Sequence, residues 1–254
     1  MEELVRATAS AEARHFWFRG FRAFVTPLLR SALNGTRAPR ILDCGCGTGA
    51  NLELLGRFGR AVGFDLSESG PAIARRAGRT AVARATVTAA PFPTTAFDLV
   101  TSFDVLYSLS ESEEAAAVAE LYRVLKPGGF ALINVAAMPV LTGDHSVLSH
   151  ERRRYTRSSL RELLERGGFS IVRLTYTNLT LVVPLIVVRW YQRLRGLASE
   201  AEARREITVP PAPINGAFSA LLWVESQWLR VVDNPFGSSL LCLARKPAGG
   251  EGPR

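Results

Sequence analysis

The chain has 254 residues, 47% of them hydrophobic and 21% charged, a composition that excludes a disordered protein and suits one α/β domain with an added cap. The formal net charge is +8, but the basic residues are spread along the sequence and nearly all of them are arginine. A solvated surface explains this charge better than a nucleic-acid site does, and the densest basic run, residues 152–154, is interpreted in the same way. An anionic substrate and an acidic membrane surface stay open as alternatives.

Cysteine usage points to a reducing compartment. Cys44, Cys46 and Cys242 form neither an even disulfide framework nor the four-ligand spacing of a zinc site, so we expect a cytoplasmic protein without a bound metal. The N-terminal residues lack the uninterrupted apolar run of a signal peptide. The most apolar stretch, residues 179–188, is too short to span a bilayer and contains a proline.

The predicted elements begin with a helical region over residues 1–36, which contains the aromatic run His15-Phe16-Trp17-Phe18. Hydrophobic periodicity and glycine or proline breaks then predict alternating strands and helices. The strands are predicted at residues 40–43, 61–65, 80–87, 97–103, 130–136, 169–177 and 239–244, and the helices at 51–58, 68–78, 111–125 and 158–166. Alternation of this kind predicts a parallel sheet with helices on both faces.

The segment between the last two strands is far too long for a hairpin. Two helices fit there, at residues 179–195 and 214–231, joined by a polar, proline-rich stretch at 199–213. The fold class is therefore α/β: a Rossmann-like, seven-stranded, mostly parallel sheet with an antiparallel last strand and a helical cap inserted between strands six and seven. The predicted domains are an N-terminal helical lid at 1–36, an α/β core at 37–178 and 238–247, and a helical cap insertion at 179–237.

A glycine-rich loop follows the first strand, in the sequence from Asp43 to Gly49. Glycines at such a turn let the backbone approach a ligand, and Asp65, at the end of the next strand, can accept hydrogen bonds from two ribose hydroxyls. Dinucleotide-binding folds share both features. Asp43 favours another ligand, because a carboxylate there would repel a diphosphate but attract the amino group and sulfonium of S-adenosylmethionine. The glycine spacing also differs from the dinucleotide pattern.

The segments ILDCGCGTG, GFDLS, PFPTTAFDLVTSFDVL and LKPGGFALINV, within residues 39–136, resemble the class I methyltransferases, in particular the small-molecule group that includes ubiquinone-biosynthesis-type enzymes. The resemblance implies S-adenosylmethionine as the cofactor. It implies that the methionine part is held by Asp43, Gly45, Gly47 and Gly49, together with the loop residue Cys46. It implies that Asp65 and Leu66 hold the ribose and adenine edge and that Phe103 lies beside the cofactor. Cys44 and Cys46 are otherwise expected to be small residues packed in a tight loop.

Two departures from the family pattern matter. The acid that often contacts the adenine amino group is missing before Pro91, so adenine recognition is assigned to backbone groups or a threonine at Thr86 and Val87. The Glu-His pair that often follows Asp-Val-Leu is replaced by Tyr107-Ser108. Two further stretches, the HFWFRG run and the residues from His150 to Thr156, resemble one subgroup of the family without implying a chemical role.

We expect methyl transfer to an apolar small molecule, most readily at oxygen, such as a secondary metabolite or a lipid-linked intermediate. Transfer to oxygen needs a base, and His145 and His150 are the candidates because imidazole has a suitable pKa. Asp144 could orient His145 only if the fold brings the two side chains together. The aromatic run at residues 15–18 is either a lid over the cofactor or a buried helix face.

Other functions stay open. A non-catalytic binding module could keep this fold, and a nicotinamide dehydrogenase would share the glycine loop. A nucleic-acid methyltransferase is disfavoured because the residues after strand four, Ser102 to Val105, lack the Asn/Asp-Pro-Pro-aromatic motif that holds a flipped base. The expected partner is thus a small-molecule substrate, without nucleic acid. Peripheral membrane contact through residues 179–190 is an alternative, and the sequence leaves the oligomeric state open.

Overall fold

The computed structural model describes residues 2–196, 199 and 207–249. The helices of these residues are α1 Glu2–Ala11, α2 Phe16–Leu33, α3 Ala50–Leu55, α4 Ser69–Arg76, α5 Glu111–Val124, α6 Asp144–Leu148, α7 Arg157–Arg166, α8 Val182–Arg195 and α9 Ala212–Trp228. The strands are β1 Arg40–Cys44, β2 Arg60–Asp65, β3 Val82–Arg84, β4 Phe97–Phe103, β5 Leu125–Ala136, β6 Ser170–Thr177 and β7 Ser239–Arg245.

The strands form one seven-stranded sheet in the order β3-β2-β1-β4-β5-β7-β6. All pairings from β3 to β5 are parallel, and β7 runs antiparallel to both of its neighbours. The predicted Rossmann-like α/β fold with an antiparallel last strand is therefore confirmed. The strand order reverses between β1 and β4, and ligands of such sheets bind beyond the carboxyl ends of the strands at this position.

Alternating side chains of the central strands bury both faces of the sheet. Ile41 and Leu99 belong to one apolar cluster, which includes residues of α2, α3 and α9, whereas Leu42 and Val100 belong to another, which includes residues of α5 and α7. Successive side chains of a strand point to opposite faces, so a near-continuous apolar strand can be stable only when helices cover both sides.

Two predicted strands differ from the observed ones. β3 covers only Val82–Arg84, because the chain turns at Thr86, whose hydroxyl accepts a hydrogen bond from the Thr88 amide at 3.3 Å. β5 begins at Leu125 rather than at residue 130. Leu125 ends α5 with extended backbone angles and pairs with Phe97, so the Lys-Pro-Gly-Gly stretch lies within the strand rather than before it.

The helical region predicted at residues 1–36 forms two helices, α1 and α2. His15 separates them: its Nδ1 accepts a hydrogen bond from the Trp17 amide at 3.1 Å and caps α2. Asn215 of α9 fixes this junction, because its Oδ1 accepts from the Phe16 amide at 2.8 Å and its Nδ2 donates to the Arg14 carbonyl at 2.9 Å. The aromatic run is thus held against the helices inserted between β6 and β7.

The inserted segment begins with a short 3-10 turn at Leu179–Leu181, followed by α8, and ends with α9. Most of the polar stretch predicted at residues 199–213 lies outside the described residues. The domain boundaries drawn from the sequence remain predictions.

The basic run at residues 152–154 is only partly solvated, contrary to expectation. Arg154 forms a nearly inaccessible ion pair with Glu151 at 2.8 Å, and Arg153 pairs with the buried Glu114 at 3.0 Å. Glu114 also accepts a hydrogen bond from the Tyr155 hydroxyl. These arginines neutralise buried carboxylates, and a charge with such a role is invisible in the spacing of the sequence.

Candidate cofactor and acceptor site

The glycine loop leaves β1 at the point where the strand order reverses. Gly45 and Gly47 have φ values of +82° and +51°, in the left-handed region that favours glycine. The amides of Gly45 and Cys46 both donate to the Phe64 carbonyl, at 2.8 and 2.9 Å, which ties the loop to the end of β2. Gly49 precedes the first residue of α3.

Gly45 and Gly47 differ in the space that a side chain at each position would have. A Cβ at Gly45 would lie 2.3 Å from Cγ2 of Val105, so this glycine is required by packing within the protein. A Cβ at Gly47 would meet nothing within 4 Å among the described residues. Gly47 therefore exposes bare backbone to open space, as a ligand-facing position does.

Asp43 is a buried carboxylate with one oxygen unused. Its Oδ1 accepts a hydrogen bond from the Thr101 hydroxyl at 2.6 Å, whereas its Oδ2 has no hydrogen-bond partner in the part of the chain that the structure describes. Burial, with a smaller contribution from the negative charge of Asp65, raises the pKa of Asp43 from 3.8 to about 7. A buried acceptor without a donor is costly, so a cationic or hydrogen-bond-donating ligand at this point would satisfy it.

Asp65 holds the loop in place. Its Oδ2 accepts from the Gly47 amide at 2.8 Å, and its Oδ1 accepts from the amide and hydroxyl of Ser67 at 2.9 and 2.6 Å. The acid that the sequence assigns to the ribose is therefore already engaged, and ribose hydroxyls would have to share it. Leu66, assigned to the adenine edge, is an exposed apolar side chain beside Asp65.

Glu12 adds a third carboxylate that the sequence did not single out. It is buried at the end of α1, and its Oε2 accepts from the Thr48 hydroxyl at 2.5 Å. Burial raises the pKa of Glu12, and the Thr48 hydrogen bond opposes that rise. Helix α1 is also fixed at its other end, because Glu2 accepts from the Glu68 and Ser69 amides at 2.7 and 3.1 Å. Helix α1 thus reaches from the start of α4 to the glycine loop.

The remaining residues assigned to the cofactor lie at the ends of neighbouring strands. Thr86 lies in the turn after β3, and the Val87 side chain is buried in the core. Phe103, at the end of β4, packs edge-to-face on Phe21 of α2 at 4.9 Å between ring centroids. Cys46 is buried, and burial raises the pKa of its thiol, so it is an inert packing residue of the loop.

Asp104 is a second residue that the sequence analysis missed as a candidate. It follows β4 with a φ of +61°, and its Oδ1 accepts from Nδ2 of Asn134 in β5 at 2.9 Å. The residue is solvent-exposed by surface area, yet the surrounding protein raises its pKa from 3.8 to about 7, chiefly by desolvation. Asp104 therefore combines solvent access with a raised pKa at the carboxyl end of β4.

The histidines proposed as bases lie in the segment after β5. His145 is half-buried in α6, and His150 is exposed with a φ of +52°. Asp144, considered as the group that orients His145, forms an ion pair with Arg195 of α8. A catalytic role for either histidine stays a prediction.

The arrangement suits a cation better than an anion. Asp43 and Asp65 lie at one loop, and a diphosphate there would meet both carboxylates. Glu12 adds little net charge, because Arg79 pairs with it at 3.8 Å. A ligand that carries an ammonium and a sulfonium would meet complementary charge and would supply a partner for the Asp43 Oδ2. The residues present therefore fit S-adenosylmethionine.

Comparison with known proteins points to the same ligand as the geometry of the site. A family of methyltransferase domains matches residues 42–133, which run from β1 through most of β5. This part of the chain is similar to methyltransferase domains, in agreement with the resemblance that its sequence motifs carry. A probable S-adenosylmethionine-dependent methyltransferase of Mycolicibacterium smegmatis is 28% identical over 161 residues, covering 62% of this chain and 60% of the relative.

Two further proteins are similar to this chain. A ubiquinone/menaquinone biosynthesis C-methyltransferase of Photorhabdus laumondii is 28% identical over 184 residues, covering 57% of this chain and 70% of that enzyme. The crystal structure of an S-adenosylmethionine-dependent methyltransferase from Archaeoglobus fulgidus has a TM-score of 0.54 at 18% identity, covering 89% and 94% of the two chains. The structural likeness concerns the fold, and the match to the first relative spans three fifths of its length.

Proposed function

We propose that this protein transfers a methyl group from S-adenosylmethionine to an apolar small-molecule acceptor, most readily at a hydroxyl oxygen. The observation that carries the proposal is the buried Oδ2 of Asp43, which has no hydrogen-bond partner among the described residues, together with the open backbone of Gly47 in the loop that follows. Asp43, Asp65 and the glycine loop would hold the cofactor, with Leu66 and the Thr86-Val87 turn on its adenine side. When bound, the cofactor supplies an electrophilic methyl group on a positively charged sulfur.

The protein's own contribution is mainly positioning. Holding two reactants in line removes the entropy loss of their encounter, which can contribute about 7–11 kcal/mol to the rate. Helix α1 is tied to the loop by the Glu12–Thr48 hydrogen bond. We propose that α1 and the aromatic run at residues 15–18 would cover a bound cofactor and exclude water, which would strengthen the attraction between the carboxylates and a bound cation.

We propose Asp104 as the proton acceptor, ahead of His145 and His150. Its pKa of about 7 is matched to removal of a hydroxyl proton near neutral pH, and the Asn134 amide fixes its orientation. The acceptor's proton would move to the free carboxylate oxygen of Asp104 as the acceptor oxygen attacks the methyl carbon.

Methylation at carbon is the second candidate, favoured by the name of the Photorhabdus laumondii relative. A deprotonated ring hydroxyl is nucleophilic at its oxygen and also at the neighbouring ring carbon, so Asp104 would serve either outcome. Identification of the product decides between them, because an ether and a ring methyl group have different NMR spectra.

Binding and turnover test the proposal separately. Calorimetry should show S-adenosylmethionine binding to the wild-type protein and none to Asp43→Asn, while NADH should not bind. Incubation with methyl-labelled cofactor and hydroxylated aromatic acceptors should then yield a labelled product. Binding without labelling of any acceptor would favour a non-catalytic module, and binding of NADH instead would overturn the assignment.

Asp104→Asn should lower the turnover number by on the order of a hundredfold, as loss of a general base does, with little change in cofactor binding. Asp233→Asn is the matched control, since it makes the same chemical change at an exposed carboxylate paired with Arg173. Full activity in Asp104→Asn, with loss of activity in His145→Ala or His150→Ala, would return the role to a histidine. The cytoplasmic location and the absence of a nucleic-acid partner stay predictions.

A further inference from the structure

Helices α8 and α9 carry their apolar side chains on the outside. In α8, Val183, Val187, Tyr191 and Leu194 are exposed at positions i, i+4, i+8 and i+11, and thus share one helix face. Trp190 lies on the same face and is 63% exposed. A helix at the surface of a water-soluble domain has the opposite distribution, with its apolar side toward the core.

Two polar residues of α8 face the protein instead. Arg189 and Gln192 are buried, and Nη1 of Arg189 donates to Oε1 of Gln192 at 2.7 Å. The same Oε1 accepts from the Asp144 amide at 3.3 Å. Interior packing therefore does not explain the apolar residues of α8, because the side of the helix that contacts the protein is held by polar interactions.

Helix α9 repeats the pattern. Leu221, Val224 and Trp228 are exposed at positions i, i+3 and i+7, and Trp223 is also exposed, at 60%. Glu225 is buried on the inner side, where it accepts from the Leu179 and Thr180 amides at 2.9 and 3.1 Å. These bonds join α9 to the turn that begins α8, so both helices with exposed apolar faces belong to the same inserted segment. We call the two faces together the outer cap face.

Charge distinguishes between the partners that could cover such a face. Helix α8 contains no acidic residue and α9 contains only the buried Glu225, while Arg193 and Arg230 are exposed on or beside the helices. Arg195 is also exposed, but it is paired with Asp144. The sequence between the two helices carries both glutamates and arginines, but most of it lies outside the described residues, so charge is compared for the helices alone. An apolar face with exposed basic and aromatic residues complements an anionic lipid surface.

A second copy of the chain is the less suitable partner. A two-fold contact places the same patch on both sides, so it would bring exposed arginines of one copy toward those of the other.

Tryptophan and tyrosine are enriched where proteins meet the boundary between lipid headgroups and acyl chains. Among the described residues no helix combines the length and apolar character needed to cross a bilayer, so contact would be parallel to the membrane surface.

We propose that the outer cap face binds the surface of an anionic lipid membrane, with Trp190, Trp223 and Trp228 inserted at the headgroup boundary. This extends the contact considered for residues 179–190 to both inserted helices. It does not rest on the methyltransferase activity, since binding can be measured without cofactor or acceptor.

The test is co-sedimentation of the full chain with phosphatidylcholine vesicles and with vesicles that also contain phosphatidylglycerol. We expect binding to the anionic vesicles, a blue shift of tryptophan fluorescence on binding, and weaker binding at high salt because the headgroup attraction is screened. Trp223→Ser/Trp228→Ser should weaken binding by on the order of tenfold or more. Val172→Ser, which removes an exposed apolar side chain of β6, is the matched control and should bind like wild type.

A charge variant keeps the test decisive if the tryptophan variant folds poorly. Arg193→Glu/Arg230→Glu should lose the preference for anionic vesicles, with unchanged circular dichroism. Equal sedimentation with and without vesicles would overturn the proposal. So would a dimer in analytical ultracentrifugation that Trp223→Ser/Trp228→Ser converts to monomer without any vesicle binding by the wild type, because the face would then be a contact between copies.

Discussion

Asp43→Asn should stabilise the cofactor-free protein above neutral pH while it abolishes cofactor binding. The folded protein raises the pKa of Asp43 from 3.8 to about 7, because the carboxylate is buried. At about 1.4 kcal/mol per pKa unit, the ionised carboxylate costs the folded state on the order of 4 kcal/mol once the pH exceeds the folded pKa. Asparagine carries no charge and can still accept the Thr101 hydrogen bond.

The sign of the pH dependence follows from proton binding. Between the unfolded and folded pKa values the folded state holds more protons than the unfolded state, so this group makes the free energy of unfolding fall as pH rises. The loss is absent at low pH, develops between the two pKa values and is complete above about pH 7. Asp43→Asn lacks this contribution, so its stability relative to wild type should rise by about 3 kcal/mol between roughly pH 5 and pH 8.

Urea unfolding, followed by circular dichroism at both pH values, measures that difference. Asp104 makes a similar contribution to the pH dependence of the free energy of unfolding in both proteins, so the difference between variant and wild type does not contain it. Thr101→Val is the matched control: it deletes the one hydrogen bond that lowers the pKa of Asp43, so it should shift the wild-type pH dependence to higher pH. If the stability difference between Asp43→Asn and wild type is the same at both pH values, the buried carboxylate has a donor and the cation site has no basis.

Three shorter predictions concern the glycine loop and the residue that holds Asp104. Gly45→Ala should lower the melting temperature severely, because its Cβ would lie 2.3 Å from Val105. Gly47→Ala should cost only about 1–2 kcal/mol for its φ of +51°, yet should weaken S-adenosylmethionine binding in calorimetry by far more, and equal effects of the two variants would contradict a ligand-facing Gly47. Asn134→Ala should slow turnover because it releases Asp104, and should leave cofactor affinity unchanged.

The fold could be predicted because its signals are local. The apolar run at residues 40–43 and the glycine loop after it specify a strand, a turn and a helix without reference to the rest of the chain, and the same holds for Gly63 to Asp65. The limits of β3 and β5 could not be predicted so well. They depend on the hydroxyl of Thr86 and on pairing of Leu125 with Phe97, which are set by neighbouring strands.

The residues of the site also differ in whether a local sequence signal identifies them. Asp43 and Asp65 stand out because each follows a strand at a fixed spacing from glycines. Glu12 gives no such signal, since its role arises only when α1 packs beside the glycine loop and meets Thr48. In the sequence Asp104 looks like an ordinary acid after a strand, and only its contact with Asn134 and its raised pKa distinguish it from a surface acid.

Asp43 and Asp104 together predict that cofactor binding changes the pH dependence of the reaction. Thr101 of β4 contacts Asp43, and Asp104 directly follows the same strand, so we expect a cofactor that extends from Asp43 along the strand ends to bring its positive charge near Asp104. A nearby positive charge lowers a carboxyl pKa, so Asp104 should ionise at lower pH in the cofactor complex than in the free protein, where its pKa is about 7. The pH profile of kcat/KM for the cofactor reports the free protein and that of kcat the complex. We therefore expect kcat to reach its plateau at lower pH than kcat/KM, and coincident profiles would show that the base is not coupled to the cation site.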